Sequence, residues 1–98
     1  MNVTSLEDVR SNIDRLDRAI IGLMAERGGY VRQAARFKTC SADVEAPKRV
    51  EQVIDKVRAL ATGAGLEPEV AEEAYRAMIA AFIEVEGEAF EKHQGSID

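Results

Sequence analysis

A helical seam more than four heptads long constrains this chain before anything else does. Apolar side chains stand at Leu6, Val9, Ile13, Leu16, Ile20, Leu23, Tyr30, Ala34 and Phe37, and with Arg27 counted in its place the steps alternate between three and four. That period belongs to one face of an α-helix. It predicts one amphipathic helix over about 6–38, capped by Thr4 or Ser5, with Glu7 and Asp8 in the first turn where the helix dipole favours acidic groups. Such a helix is about 50 Å long. A compact chain of 98 residues has a radius of gyration of only about 13 Å. The helix is therefore expected to overhang its own domain and to be covered by a second copy, giving an intertwined homodimer.

The rest of the chain also reads as helix. The long helix is expected to end near Thr39 and Cys40, followed by a loop over 41–46. Pro47 suits the first turn of a second helix. Val50, Val53, Ile54, Val57, Leu60 and Ala61 give that helix an apolar face about four turns long, and Gly63 and Gly65 mark its stop. Pro68 opens a third helix with the stripe Val70 or Ala71, Ala74, Tyr75, Met78, Ile79, Phe82, then Glu86, then Ala89 or Phe90; a frayed tail is expected from about Lys92. No segment alternates with period two. The expectation is an all-α protein of three helices, long, short and medium, in a single domain over 1–98. Asp14 and Arg18 have the i,i+4 spacing of a surface ion pair. Gly22, Gly28 and Gly29 sit inside the first helix, where glycine costs roughly 1 kcal/mol relative to alanine; close helix packing and room for a ligand beside Arg27 both account for them.

Composition excludes several classes. No apolar run approaches the length of a membrane span. Met1–Asp8 lacks a basic-then-apolar leader pattern, and the lone Cys40 cannot form an internal disulfide, so a cytoplasmic protein is expected. His93 is the only histidine, so no metal-ligand cluster is expected. A net charge of −5 argues against nucleic acid as a partner. Against that acidic balance, cations on apolar faces stand out.

Arg27 occupies the seam itself, where an unpaired charge would be costly. Lys38 follows 11 residues later and lies within about 20° of the same face, roughly 16 Å along the axis. Arg10 points about 100° away from Arg27 and could serve the same site only from an antiparallel partner chain. Arg49 opens the second helix. Glu86 interrupts the apolar row of the third, where Phe82 and Phe90 would desolvate its carboxyl and raise its pKa. Singly, each has a plain explanation: Arg10 and Arg49 as solvated surface residues, Lys38 as a snorkelling side chain, Arg27 and Glu86 as a buried ion pair. As a set they suit a small, multiply anionic, largely buried ligand. No nucleophile–base pair, phosphate loop or metal motif accompanies them.

In order and spacing, these residues resemble the all-helical chorismate mutases. The matching pieces are Val9-Arg10, Ile13-Asp14-Arg15-Leu16-Asp17, Ala25-Glu26-Arg27, Ala35-Arg36-Phe37-Lys38, Ala46-Pro47-Lys48-Arg49-Val50 and the row 79–86. The sequence looks nearest to the isochorismate pyruvate lyase branch through Tyr30-Val31, Arg36-Phe37-Lys38 and the pieces around Pro47, Arg49 and Val50.

The resemblance implies a dimer with two equivalent sites, each served by Arg27, Lys38 and Arg49 of one protomer and Arg10 of the other. It implies that these cations hold the two carboxylates of chorismate or isochorismate, that Lys38 faces the ether oxygen, and that no cofactor takes part. The activity it implies first is chorismate mutase; isochorismate pyruvate lyase is the alternative, and a non-catalytic dimerisation module the third. Two positions depart from the family pattern. Glu86 stands where a glutamine commonly donates its amide to the ether oxygen, a role a carboxyl fills only when protonated. Val50 stands where mutases often carry a glutamate for the ring hydroxyl, which keeps the lyase reading open.

Overall fold

The computed structural model describes the backbone of residues 2–34 and 42–97 and the side chains of residues 2–34 and 47–85. The described residues form three α-helices and no strand: α1 (Leu6–Ala34), α2 (Ala42–Ala64) and α3 (Pro68–Ile97). The chain divides into two units, Met1–Lys38 and Thr39–Asp98.

The first unit is α1, with 29 residues in its helix. Ser5 is the cap. Its Oγ accepts from the amide of Asp8 at 3.0 Å, and the Asp8 carboxylate accepts in return from the amide of Thr4 at 3.2 Å. Two amides that the helix leaves without intrahelical partners are satisfied this way. The seam forms as the spacing predicts, but its apolar members lie open in the single chain: Leu6, Ile13, Leu16, Ile20, Leu23 and Tyr30 are 48% to 65% exposed. Gly28 is the buried residue of this helix. A Cβ at Gly22 or Gly29 would meet nothing within 4 Å, so close packing within the chain does not require glycine at either position. Asp14 and Arg18 share a face without the expected ion pair; the ion pairs of Arg58 and Arg76 lie in the second unit.

The second unit is an antiparallel hairpin of α2 and α3. Val57, Ala61 and Ala71 form its buried centre, with Val53 and Tyr75 packed against it, and Ile54 is the largest fully buried side chain among the described residues, at 2% exposure. Burying one such isoleucine stabilises by about 1.5–3 kcal/mol. Gly65 makes the turn. Its φ of 81° belongs to the left-handed region that glycine adopts without strain. There the amide of Gly65 donates to the carbonyl of Thr62 at 3.3 Å and that of Leu66 to the carbonyl of Ala61 at 2.8 Å. These two bonds close the C-terminus of α2 as a Schellman motif.

Two expectations are corrected. The stretch expected as loop over 41–46 is helical from Ala42, so Pro47 lies inside α2 and not at its first position. Pro47 is the sixth residue of α2, past the amides that a first turn leaves free, so the helix accommodates it at the cost of one i→i−4 hydrogen bond. Ala42 and Ala46 also have the highest intrinsic helix propensity. The tail expected to fray from Lys92 is helical through Ile97, which gives α3 30 residues. Good helix formers at Glu88, Ala89, Glu91, Lys92 and Gln94 account for the extension. The expected end of the first helix near Cys40 lies outside the described residues.

Candidate active site

α1 carries two of the expected cations. Arg10 is exposed in its second turn, in a shallow surface groove shared with Glu7, Asp14, Arg15 and Arg18. Arg27 is half-buried next to buried Gly28. On one continuous helix the two are about 25 Å apart along the axis and point about 100° apart. A small molecule cannot touch both from the same helix.

The hairpin carries the other described members. Arg49 is exposed on α2, and Val50 beside it is half-buried. Val50 lies within about 20° of the row that holds Val57 and Ala61, so it continues the face packed against α3. That placement suits an apolar residue. Arg49 lies about 80° from Val57 on one flank of the same face. On α3, Tyr75, Met78, Ile79 and Phe82 are half-buried, and position 86 follows them in register on helical backbone. The hairpin thus gathers Arg49, Val50, Phe82 and position 86 into one unit, while Arg10 and Arg27 belong to the other. Lys38 and the side chain of Glu86 lie outside the described residues.

On the flank of α2 opposite Arg49 runs an ion-pair chain. Arg76 Nη1 and Nη2 donate to Glu51 Oε2 and Oε1 at 2.9 and 3.0 Å, and Arg76 Nε donates to Glu72 Oε2 at 2.7 Å. Arg58 Nη1 then donates to the other oxygen of Glu72 at 2.8 Å, with Glu69 3.9 Å from its Nη2. Hydrogen bonds from Arg76 hold the carboxyls of Glu51 and Glu72 below the usual glutamate range, against a smaller opposing effect of desolvation, and Arg58 adds to the lowering at Glu72. The same bonds raise the pKa of Arg76. Sequence reasoning missed this chain. Its one local signal was the i,i+4 spacing of Glu72 and Arg76.

Among the described residues no group of acidic, histidine or cysteine side chains has the arrangement of a metal site. None of the described helices is long and apolar enough to cross a membrane.

The isochorismate pyruvate lyase of Pseudomonas aeruginosa is 41% identical over 51 residues, which is 52% of this chain and 50% of that protein. The chain spans about half the length of that curated relative. The sequence pattern described as chorismate mutase type II matches residues 9–87. A match over that much of the sequence means that the chain belongs to the chorismate mutase type II family.

Proposed function

We propose that the chain is a chorismate mutase, acting as a homodimer through two equivalent sites. Each site takes Arg27, Lys38, Arg49 and Glu86 from one protomer and Arg10 from its partner. The observation that carries the reading is the family match, which spans every one of these positions. In this reading residues 1–98 work as one functional domain in the cytoplasm, completed by the second copy. The open seam of α1 supports the dimer: six large side chains 48% to 65% exposed on a single stripe are what a partner helix would cover. The separation of Arg10 from Arg27 supports its donation across the interface.

The chemistry suits residues that position and carry charge but do not attack. In the rearrangement of chorismate to prephenate one C–O bond breaks as one C–C bond forms, within one molecule and with no net proton transfer. The site has to hold the folded, reactive conformer. It also has to place positive charge where the breaking ether bond gathers negative charge. Arg10, Arg27 and Arg49 hold the two carboxylates, which a guanidinium fork binds in bidentate fashion. Lys38 and a protonated Glu86 face the ether oxygen. Phe82 and Val50 supply apolar walls.

A second reading, isochorismate pyruvate lyase, is favoured by two observations. The Pseudomonas aeruginosa relative carries that name. Val50 also lies on the packed face of α2, where it offers no polar handle for a ring hydroxyl. The deciding experiment is turnover of the purified protein on chorismate and isochorismate side by side, following prephenate, pyruvate and salicylate. Efficient prephenate formation establishes the mutase. Salicylate and pyruvate with only slow prephenate replace it with the lyase. Lys38→Ala is expected to fold and dimerise yet lose at least about 100-fold in turnover on the preferred substrate. Unchanged turnover in that variant would remove Lys38 from the site.

A further inference from the structure

The hairpin core has a property that bears on the site. Its buried side chains are Ile54, Val57, Ala61 and Ala71, all apolar, and no polar group is buried among the described residues. Apolar contact of this kind is non-directional. The turn through Gly65 brings α3 back along α2, and away from that turn a core without directional contacts leaves the register of the two helices less sharply specified. Directional polar contacts are a known means of fixing such a register. The only ion pairs between α2 and α3 among the described residues are those of Glu51, Arg58, Glu69, Glu72 and Arg76.

We infer that Arg76, through its two-pronged grip on Glu51 and its bond to Glu72, is a positioning residue that sets the register of α2 on α3 and thereby the place of Arg49; this rests on the reading of Arg49 as a substrate-binding residue. Glu51 lies two residues beyond Arg49. In the antiparallel hairpin Arg49 is therefore level with a point about two residues beyond Arg76, and position 86 is about 12 Å further along α3. That spacing is what a small ligand, held by Arg49 at one end and by Glu86 at the other, has to match. The ion-pair chain and Arg49 lie on opposite flanks of the packed face of α2, so the chain acts through the rigid helix and not by contact. Isolated exposed ion pairs contribute little to stability. This one is bidentate and part of a network, and its effect is on geometry.

The test is a cycle of E51Q, R76Q and the double variant, each in the full chain, with KM and kcat measured on whichever of chorismate and isochorismate the wild type turns over. A misplaced carboxylate-binding arginine weakens the binding of substrate and transition state alike, so KM is expected to rise roughly tenfold while kcat changes less than about threefold. E51Q and R76Q are expected to be non-additive, because they break one contact. R76K, which keeps the charge but not the fork, is expected to recover only part of the loss. Should R76Q fail to fold, E51Q alone decides, since it changes an exposed carboxyl by one group. Variants that lower the melting temperature and leave KM unchanged would overturn the inference and reduce the chain to a stabilising contact. A wild type that turns over neither substrate overturns the functional reading itself, and this inference with it.

Discussion

The amide of Leu66 donates to the carbonyl of Ala61 at 2.8 Å, across a turn whose hinge is Gly65 at φ 81°. The bond spans five residues and ends α2 so that α3 can fold back along it. It exists because Gly65 accepts a left-handed backbone. An alanine Cβ there would meet no atom within 4 Å, so any cost of Gly65→Ala comes from the backbone alone. The expected loss is about 1–2 kcal/mol of unfolding free energy, measured by urea denaturation. A neutral substitution would mean that the turn is not held in this conformation in solution.

The ion-pair chain gives stability a pH dependence of definite sign. Glu51 and Glu72 have pKa values below the ordinary 4.5 because Arg76 bonds to their ionised forms. A carboxyl with a depressed folded pKa stabilises in full above its unfolded value. That stabilisation is lost as pH falls through the folded value. Melting temperature should therefore hold steady from neutral pH down to about 4.5 and then drop as pH falls further. E51Q should start lower and show a shallower acid slope, since one of the two linked groups no longer titrates. Parallel acid slopes for E51Q and wild type would place the linkage elsewhere.

The seam of α1 predicts an assembly that can be broken by one charge. Ile20 is 52% exposed in the single chain and lies mid-seam between Leu16 and Leu23. If a second copy covers it, Ile20→Asp buries an unpaired carboxylate at the interface. The expected result by sedimentation is a dimer for wild type and a monomer for the variant. Helical circular dichroism should also fall, because an amphipathic helix with no partner for its face draws little stability from propensity alone. A wild type that sediments as a monomer at all concentrations would remove the dimer from the functional reading.

What the sequence disclosed and what it concealed follow one physical division. Features set by the chain near a residue were legible: the seam of α1 from its apolar period, the end of α2 from Gly65, the start of α3 from Pro68. Pro47 misled because the same residue signals a first turn or is tolerated slightly past one, and the choice depends on the helix propensity of residues before it. The pairing of Glu51 with Arg76 was hidden because 25 positions separate them and only the hairpin register brings them together. The cations proposed for the site stand out in the sequence as charges on apolar faces. The divergent directions of Arg10 and Arg27 on one helix follow from their spacing alone, and in the proposed dimer a second copy brings them to one ligand.

The departure at Glu86 leads to the last prediction. Position 86 continues the row of Tyr75, Ile79 and Phe82 on α3, and all three of those side chains are half-buried. From the sequence, a carboxyl in such a row is expected to be desolvated, which would disfavour its charged form. In the proposed mechanism Glu86 donates a hydrogen bond to the ether oxygen, and only the protonated form has a proton to donate. The rate of chorismate turnover should then be highest at low pH, within the range where the fold survives, and should fall by about tenfold per pH unit once pH rises through the Glu86 pKa. Glu86→Gln supplies a permanent amide donor of nearly the same shape. It should remove this limb of the profile and keep activity at neutral pH at or above that of wild type. A wild-type profile that is flat, together with normal activity in Glu86→Gln, would show that the proton on Glu86 plays no part.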